Sequence, residues 1–190
     1  MRWNAPLSDA HASMLLDEFE LERAGRVLDL GCGWGELLLR AVQRSPTLTG
    51  LGVDHDTVAL VRGWALITER GLDDRVSLLD AGAGSWTEPA DRVMCVGARQ
   101  IWGGTAPALA ALRGLVAPGG RLLYGDGYLE PNPSPLERSV PRHAAARRRA
   151  GSSTGRGLAR PASERLRSAR VGRVRVDVSG EHRAMAVGQP

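Results

Sequence analysis

The stretch Val27-Leu28-Asp29-Leu30-Gly31-Cys32-Gly33-Trp34-Gly35-Glu36 decides the fold. It follows from an apolar run, Arg26 to Leu30 (RVLDL), that carries one acid, and it closes on glycines at positions 31, 33 and 35. Such a run reads as a buried strand, because the strands of a parallel sheet are covered on both faces and lose the polar alternation of a half-exposed strand. The glycines mark a tight turn that can need positive φ and that leaves the backbone bare where a side chain would hold a ligand away. Glu36 to Arg44 (ELLLRAVQR) is helical in spacing and stops near Ser45-Pro46. Strand, bare turn and helix in that order present a positive helix N-terminus with free N–H groups at the bend.

The same alternation extends to both sides. Ser8 to Arg23 (SDAHASMLLDEFELER) has helical apolar spacing, with Ser8 placed to cap it. Leu48 to Val53 (LTGLGV) is a second strand. Asp56 to Arg70 is a helix with the apolar set Val58, Leu60, Val61, Trp64, Ala65 and Ile67; Asp56 or Thr57 caps it and Gly71 stops it. Val76 to Leu79 and Arg92 to Val96 (RVMCV) are the third and fourth strands. Thr105 to Val116 reads as a helix ended by Pro118-Gly119-Gly120, before a fifth strand from Arg121 to Tyr124. Strands alternating with helices imply βαβ units: an α/β fold, doubly wound, with a mainly parallel sheet and helices on both faces. Three segments are expected: an N-terminal cap helix in 1–24, a core over 25–130, and an atypical tail over 131–190.

Composition narrows the class. At 190 residues and 43% hydrophobic, the chain can fill one core. No run of 18 uncharged apolar residues is present, so no membrane helix is expected. Met1 to Asp17 lacks a basic-then-apolar pattern, so no leader is expected. The two cysteines, Cys32 and Cys95, form no CxxC pair and suggest neither a disulfide scaffold nor a metal site. A cytoplasmic location is the resulting expectation. Every basic residue is Arg. Residues 1–137 hold 12 Arg and 18 acids, whereas residues 138–190 hold 13 Arg and 3 acids. A basic tail can bind nucleic acid, but residues 131–190 contain no Phe, Trp or Tyr on which bases would stack, so that partner is not favoured. Residues 142–160 have almost no large apolar side chain and are expected to be loosely packed or disordered. Ser163 to Ala169 reads as a short helix. Val171 to Val178 alternates like a half-buried strand, with His182 to Val187 as its candidate partner in a C-terminal hairpin. The charge reversal also fits an altered reading frame in the tail.

Two acids extend the glycine turn into a candidate site. Asp54 ends the second strand 19 residues beyond Gly35, where a carboxylate can accept both hydroxyl protons of a ribose; it can also be a solvated loop acid. Asp80-Ala81 ends the third strand, where an acceptor can receive an exocyclic amine and small neighbours leave room for a ring; Asp80 can also be a turn acid.

Residues 27–125 resemble a class I S-adenosylmethionine-dependent methyltransferase, whose fold is Rossmann-like. VLDLGCGWGE resembles the family's first motif, VDHD its acidic second strand end, LLDAGAG its adenine loop, and VAPGGRLLYGDG the stretch into its fifth strand. The resemblance implies that Asp29, Gly31 and Gly33 surround the methionine part, that Gly35 shapes the turn, that Asp54 holds the ribose, and that Asp80 and Ala81 contact adenine. Cys32 and Gly97 join this S-adenosyl-L-methionine set. His55 and Trp86 sit where they can flank the base, or serve as an exposed loop histidine and an anchor tryptophan. MRWNAPLS and CVGARQIWGGT resemble a bacterial subgroup of uncharacterised methyltransferases of small-molecule type, in which a histidine commonly stands at the place of Gln100. GCGWG also resembles cyclopropane fatty acid synthases.

A methyltransferase acting on a small-molecule acceptor is therefore expected. Acceptor-side candidates are Trp3, Asn4, Arg99, Gln100, Trp102, Tyr124, Asp126 and Tyr128, with Gln100, Tyr124 and Asp126 the candidates for chemistry and Trp3 with Trp102 for an apolar wall. Three alternatives remain: an NAD(P)-binding oxidoreductase-like protein, a catalytically impaired nucleotide-binding protein, and an RNA methyltransferase using the basic tail. The first is weakened by Glu36, which stands where a dinucleotide fingerprint needs a small residue for helix–strand packing.

Overall fold

The computed structural model describes Trp3, residues 7–126 and the backbone of residues 174–177. The chain enters through α1 (Asp9–Asp17), whose first turn is closed by Ser8: its hydroxyl accepts from the His11 N–H at 3.1 Å. A short 3-10 turn, Leu21–Arg23, leads into β1 (Arg26–Leu30). Buried Arg92 secures this entry by donating to the Phe19 and Glu20 carbonyls, each at 2.7 Å. Arg121 pairs with the Glu20 carboxylate.

The elements that follow are α2 (Glu36–Gln43), β2 (Thr49–Asp54), α3 (Thr57–Glu69), β3 (Val76–Asp80), β4 (Ala90–Val96), α4 (Thr105–Arg113), β5 (Val116–Gly125) and β6 (Val174–Asp177). The sheet order is β3-β2-β1-β4-β5-β6, parallel throughout except that β6 runs antiparallel to β5. Strand order reverses between β1 and β4, and ligands of open α/β sheets bind in the crevice beyond the strand ends at such a reversal.

Alternate residues of the strands feed two cores. Val27, Met94 and Leu123 meet Leu15 and Leu16 of α1, Leu38 of α2 and Leu60 of α3. Leu28, Leu30, Val93 and Leu122 meet Ala108 and Leu112 of α4. Both faces are thus covered, which is why RVLDL and RVMCV are apolar without alternation.

Two details differ from the sequence reading. On α3, Val58, Val61 and Trp64 point outward, at 80%, 60% and 45% exposure, while Ala59, Leu60, Gly63 and Ile67 face the sheet. Gly63 permits that rotation: a Cβ there would stand 2.3 Å from Leu78 Cδ1 and 3.0 Å from the Trp34 carbonyl oxygen, so the helix packs closely at this one glycine. Next, α4 ends at Arg113 rather than running to Val116. Val116 already pairs with Ala90 at the start of β5, and Pro118-Gly119-Gly120 forms an irregularity inside that strand, where the register slips between Ala90 and Arg92. Within the strand expected at Val171 to Val178, residues 174–177 form β6, in which Val176 stands opposite Leu122. The expected helix at Ser163 to Ala169, the partner strand at His182 to Val187 and the 142–160 stretch lie outside the described residues. Among the described residues, no helix is long and apolar enough to cross a membrane.

Candidate cofactor site

Because β3, β2, β1 and β4 are neighbours and parallel, their carboxyl ends share one edge. That topology alone brings Asp80, Asp54, the 31–35 turn and Gly97 together. Gly31, Gly33 and Gly35 all adopt left-handed φ, at 76°, 57° and 74°. The turn is pinned to β2 by the Gly31 N–H, which donates to the Val53 carbonyl at 2.8 Å. Gly31 is partly exposed, and the side on which a Cβ would stand is filled by the protein itself. A Cβ there would collide with the side chain of Ala98 and come within 3.2 Å of Ile101 Cδ1. Glycine at 31 lets the loop after β4 close over the turn, a packing role that stands beside the ligand clearance expected from the motif.

Asp54 is the hub of the edge. Its Oδ2 accepts the Gly33 N–H at 2.7 Å, and its Oδ1 accepts the His55 and Asp56 N–H groups at 2.8 and 3.0 Å. Its side chain is 12% exposed, and an ionised carboxylate with about four lone-pair sites retains acceptor capacity toward the opening. The cap of α3 is Asp56, whose Oδ1 accepts from Val58 and Ala59, each at 3.1 Å, so Asp54 is not used for capping. Asp80 stands directly opposite Asp54 in the β2–β3 register and is exposed; the Ala81 N–H donates to the Asp54 carbonyl at 3.0 Å. The His55 side chain is exposed. Trp86 is half-buried and donates its indole N–H to the Glu88 carbonyl. Gly97, at φ 75°, donates to the Gly125 carbonyl and so ties the ends of β4 and β5.

Asp29 lies beneath the turn, between Gly52 of β2 and Met94 of β4, and is 4% exposed. It receives no hydrogen bond from the described residues. Loss of solvent, followed by the like charge of Asp54, pushes its carboxyl up to about 7. Glu36 opens α2 at 6% exposure but is gripped by Arg40 Nε at 2.8 Å and Arg70 Nη2 at 2.6 Å. Arg40 also pairs with Asp9 and lies 4.6 Å from the Trp3 ring centroid. Burial pushes the Cys32 thiol far up, so it is a neutral packing group under the turn.

On the other side of the sheet reversal, Asp126 Oδ2 takes an ion pair from Arg99 at 2.8 Å and a hydrogen bond from the Tyr124 hydroxyl at 3.2 Å. Tyr124 is buried; that burial, with Asp126 beside it, raises its pKa, so the phenol keeps its proton. Gln100 is exposed in a 3-10 turn, Arg99–Trp102. Trp102 packs against the α4-side core and Trp3 against the core on the opposite face, so the two do not form the shared wall that the sequence suggested. Asn4 and Tyr128 lie outside the described residues.

The sequence reading missed the Glu36 clamp and the Arg99–Asp126 pair. The i,i+4 spacing of Glu36 and Arg40 was a usable signal. Nothing local pointed to Arg70 or Ala98, which arrive from other elements, and Arg99 and Asp126 were acceptor-side candidates without being read as a pair.

Residues 7–124 match the mycolic acid cyclopropane synthetase family. The uncharacterized protein YjhP of Escherichia coli K12 is 30% identical over 138 residues, covering 72% of this chain and 55% of that one. Cyclopropane mycolic acid synthase 1 of Mycobacterium tuberculosis is 30% identical over 95 residues, covering 50% of this chain and 32% of that one. The crystal structure of an S-adenosylmethionine-dependent methyltransferase from Geobacter sulfurreducens, in complex with S-adenosyl-L-homocysteine, is similar with a TM-score of 0.64 and 30% identity. That similarity covers 70% of this chain and 55% of the other. The chain thus spans about half the length, or less, of these relatives.

Proposed function

The chain belongs to the mycolic acid cyclopropane synthetase family of S-adenosylmethionine-dependent methyltransferases, and on that premise we propose that it binds S-adenosylmethionine at the Gly31–Gly35 edge and methylates a small-molecule acceptor. The observation that carries this reading is a set of three carboxylates, Asp29, Asp54 and Asp80, around one glycine turn at the strand-order reversal. One of them, Asp29, is buried with neither a donor nor a cation among the described residues. That chemistry suits a cationic nucleoside. It opposes a pyrophosphate, which would meet Asp29 and Asp54 and find Glu36 in the first turn of the helix that should receive it.

When bound, the cofactor supplies a methyl group on a sulfonium, which is already a good leaving group, so the protein's task is chiefly positioning. In this arrangement Asp54 turns its remaining acceptor site to a ribose hydroxyl, while Asp80 and Ala81 meet the adenine amine and His55 borders the ring. Asp29, Cys32 and Gly33 line the methionine end, and Gly97 closes the far side. On the acceptor side Tyr124 holds its proton and Asp126 is engaged by Arg99 and Tyr124. Gln100 is no base either. These groups suit an acceptor that is already nucleophilic, rather than one that must first lose a proton. Two free, buried cysteines fit a reducing compartment, and we place the protein in the cytoplasm.

Isothermal calorimetry of the full chain with S-adenosylmethionine tests the reading. Wild type is expected to bind, and Asp54→Ala to bind at least about tenfold more weakly through loss of charge-assisted hydrogen bonds. Binding indifferent to Asp54 would remove the ribose assignment. Heat from a reduced nicotinamide cofactor, with none from S-adenosylmethionine, would move the protein to the oxidoreductase reading.

A further inference from the structure

We propose that S-adenosylmethionine binding expels a proton from Asp29, so that the site holds its cofactor with that carboxyl ionised and empties toward lower pH. The inference rests on the cofactor reading above and adds a proton linkage to it.

The geometry leads there in steps. Asp29 sits on the central strand β1, covered by β2 on one side and β4 on the other. The ionisable groups that face it are Asp54 at the end of β2, Cys32 in the turn and Cys95 on β4. None of them is a cation. Burial pushes the Cys95 thiol up to about 12 and the Cys32 thiol further, so both stay neutral. The charge that Asp29 feels is therefore the like charge of Asp54. A buried carboxylate with no donor and no cation takes up a proton in preference to remaining ionised. Glu36 shows the contrast within the same molecule: equally buried, it is met by two guanidiniums.

A ligand that brings a sulfonium and an ammonium to the turn supplies the missing positive charge. The ionised form of Asp29 is then favoured, its O–H bond breaks, and the proton passes to the buffer. The electron pair stays on the carboxylate, and no other reagent is needed. Burial and the like charge of Asp54 push the Asp29 carboxyl up to about 7, so the linkage falls in an accessible range.

The test is calorimetric titration of the full chain with S-adenosylmethionine in two buffers of different ionisation enthalpy, phosphate and imidazole. Near pH 6 close to one proton is expected to be released per cofactor bound, near pH 8 almost none, and affinity should fall about tenfold from pH 8 to pH 6. Asp29→Asn should bind without the buffer-dependent heat and with a flat pH dependence. Binding by wild type with identical heats in both buffers near pH 6 would overturn the proposal while leaving the cofactor reading intact. The same release from a folded Asp29→Asn variant would also overturn it, by placing the proton elsewhere. If that variant fails to fold, the tenfold pH dependence in wild type decides, and its absence is fatal. No binding by wild type at any pH would sink the cofactor reading and this inference with it.

Discussion

Asp29 and Glu36 are the buried carboxylates of the described residues, and they stand on either side of the same glycine turn. Glu36 closes two ion pairs, to Arg40 on its own helix and to Arg70 just beyond α3. Asp29 closes none. Burying a charge is costly, and a fold tolerates it either by compensating the charge or by leaving the group protonated. Compensation at Glu36 ties α2 to the end of α3. On the proposed reading, the deficit at Asp29 is stability given up where a cationic ligand would return it, which is how a site differs from a strut built of the same chemistry.

Substitutions can break or sharpen that contrast. The largest effect is expected at Asp29. Its folded-state carboxyl lies above the unfolded value, so the folded state binds the proton more tightly. Stability is then fully present below about pH 4 and is lost as pH rises toward about 7. Asparagine mimics the protonated form and escapes that loss. Asp29→Asn should therefore stabilise the cofactor-free protein at pH 8 by up to about 4 kcal/mol, with little gain near pH 4. Urea unfolding at a series of pH values measures this, and a pH-independent difference would contradict the contrast.

Glu36→Ala should act in the opposite direction. It leaves two partly buried guanidiniums facing each other and is expected to cost about 3 kcal/mol at any pH from 6 to 8. Parallel urea curves for the two variants would separate strut from site. If Glu36→Ala were neutral, the clamp would not be structural.

Gly31→Ala comes next, at about 2 kcal/mol, because alanine is strained at φ 76° and its methyl would displace the Ala98 loop. Thermal unfolding should show the loss without cofactor present, since the clash is with the protein's own chain. A variant that unfolds like wild type but binds cofactor poorly would instead make ligand clearance the chief reason for that glycine. The smallest effect belongs to Arg62, whose guanidinium lies 4.0 Å from the Trp34 ring centroid on the outer side of the turn. Arg62→Ala should cost about 0.5 kcal/mol and leave cofactor affinity unchanged.

Much of this was legible in the residues. RVLDL is β1 to the residue, Ser8 caps α1, Asp56 caps α3, and the valine alternation in the tail became β6. These features rest on period, capping and turn chemistry, which act over a few neighbours. The edge that gathers Asp54, Asp80 and the 31–35 turn was also readable, because parallel strands put their ends together whatever their side chains do. Where the reading slipped, a distant element decided. Val58, Val61 and Trp64 face outward in a rotation that Gly63 permits against Leu78 and the Trp34 carbonyl, and α4 stops early because Val116 is claimed by Ala90.

The amino-acid order, then, determined strand, turn and helix, their alternation, and hence where the ends of the strands would gather. Only the folded molecule decided that Ala98 fills the space over Gly31, that Arg70 reaches Glu36, and that nothing positive among the described residues reaches Asp29. The reason is physical: periodicity is a property of adjacent residues, whereas desolvation and charge compensation depend on what packs against a group from elsewhere in the chain.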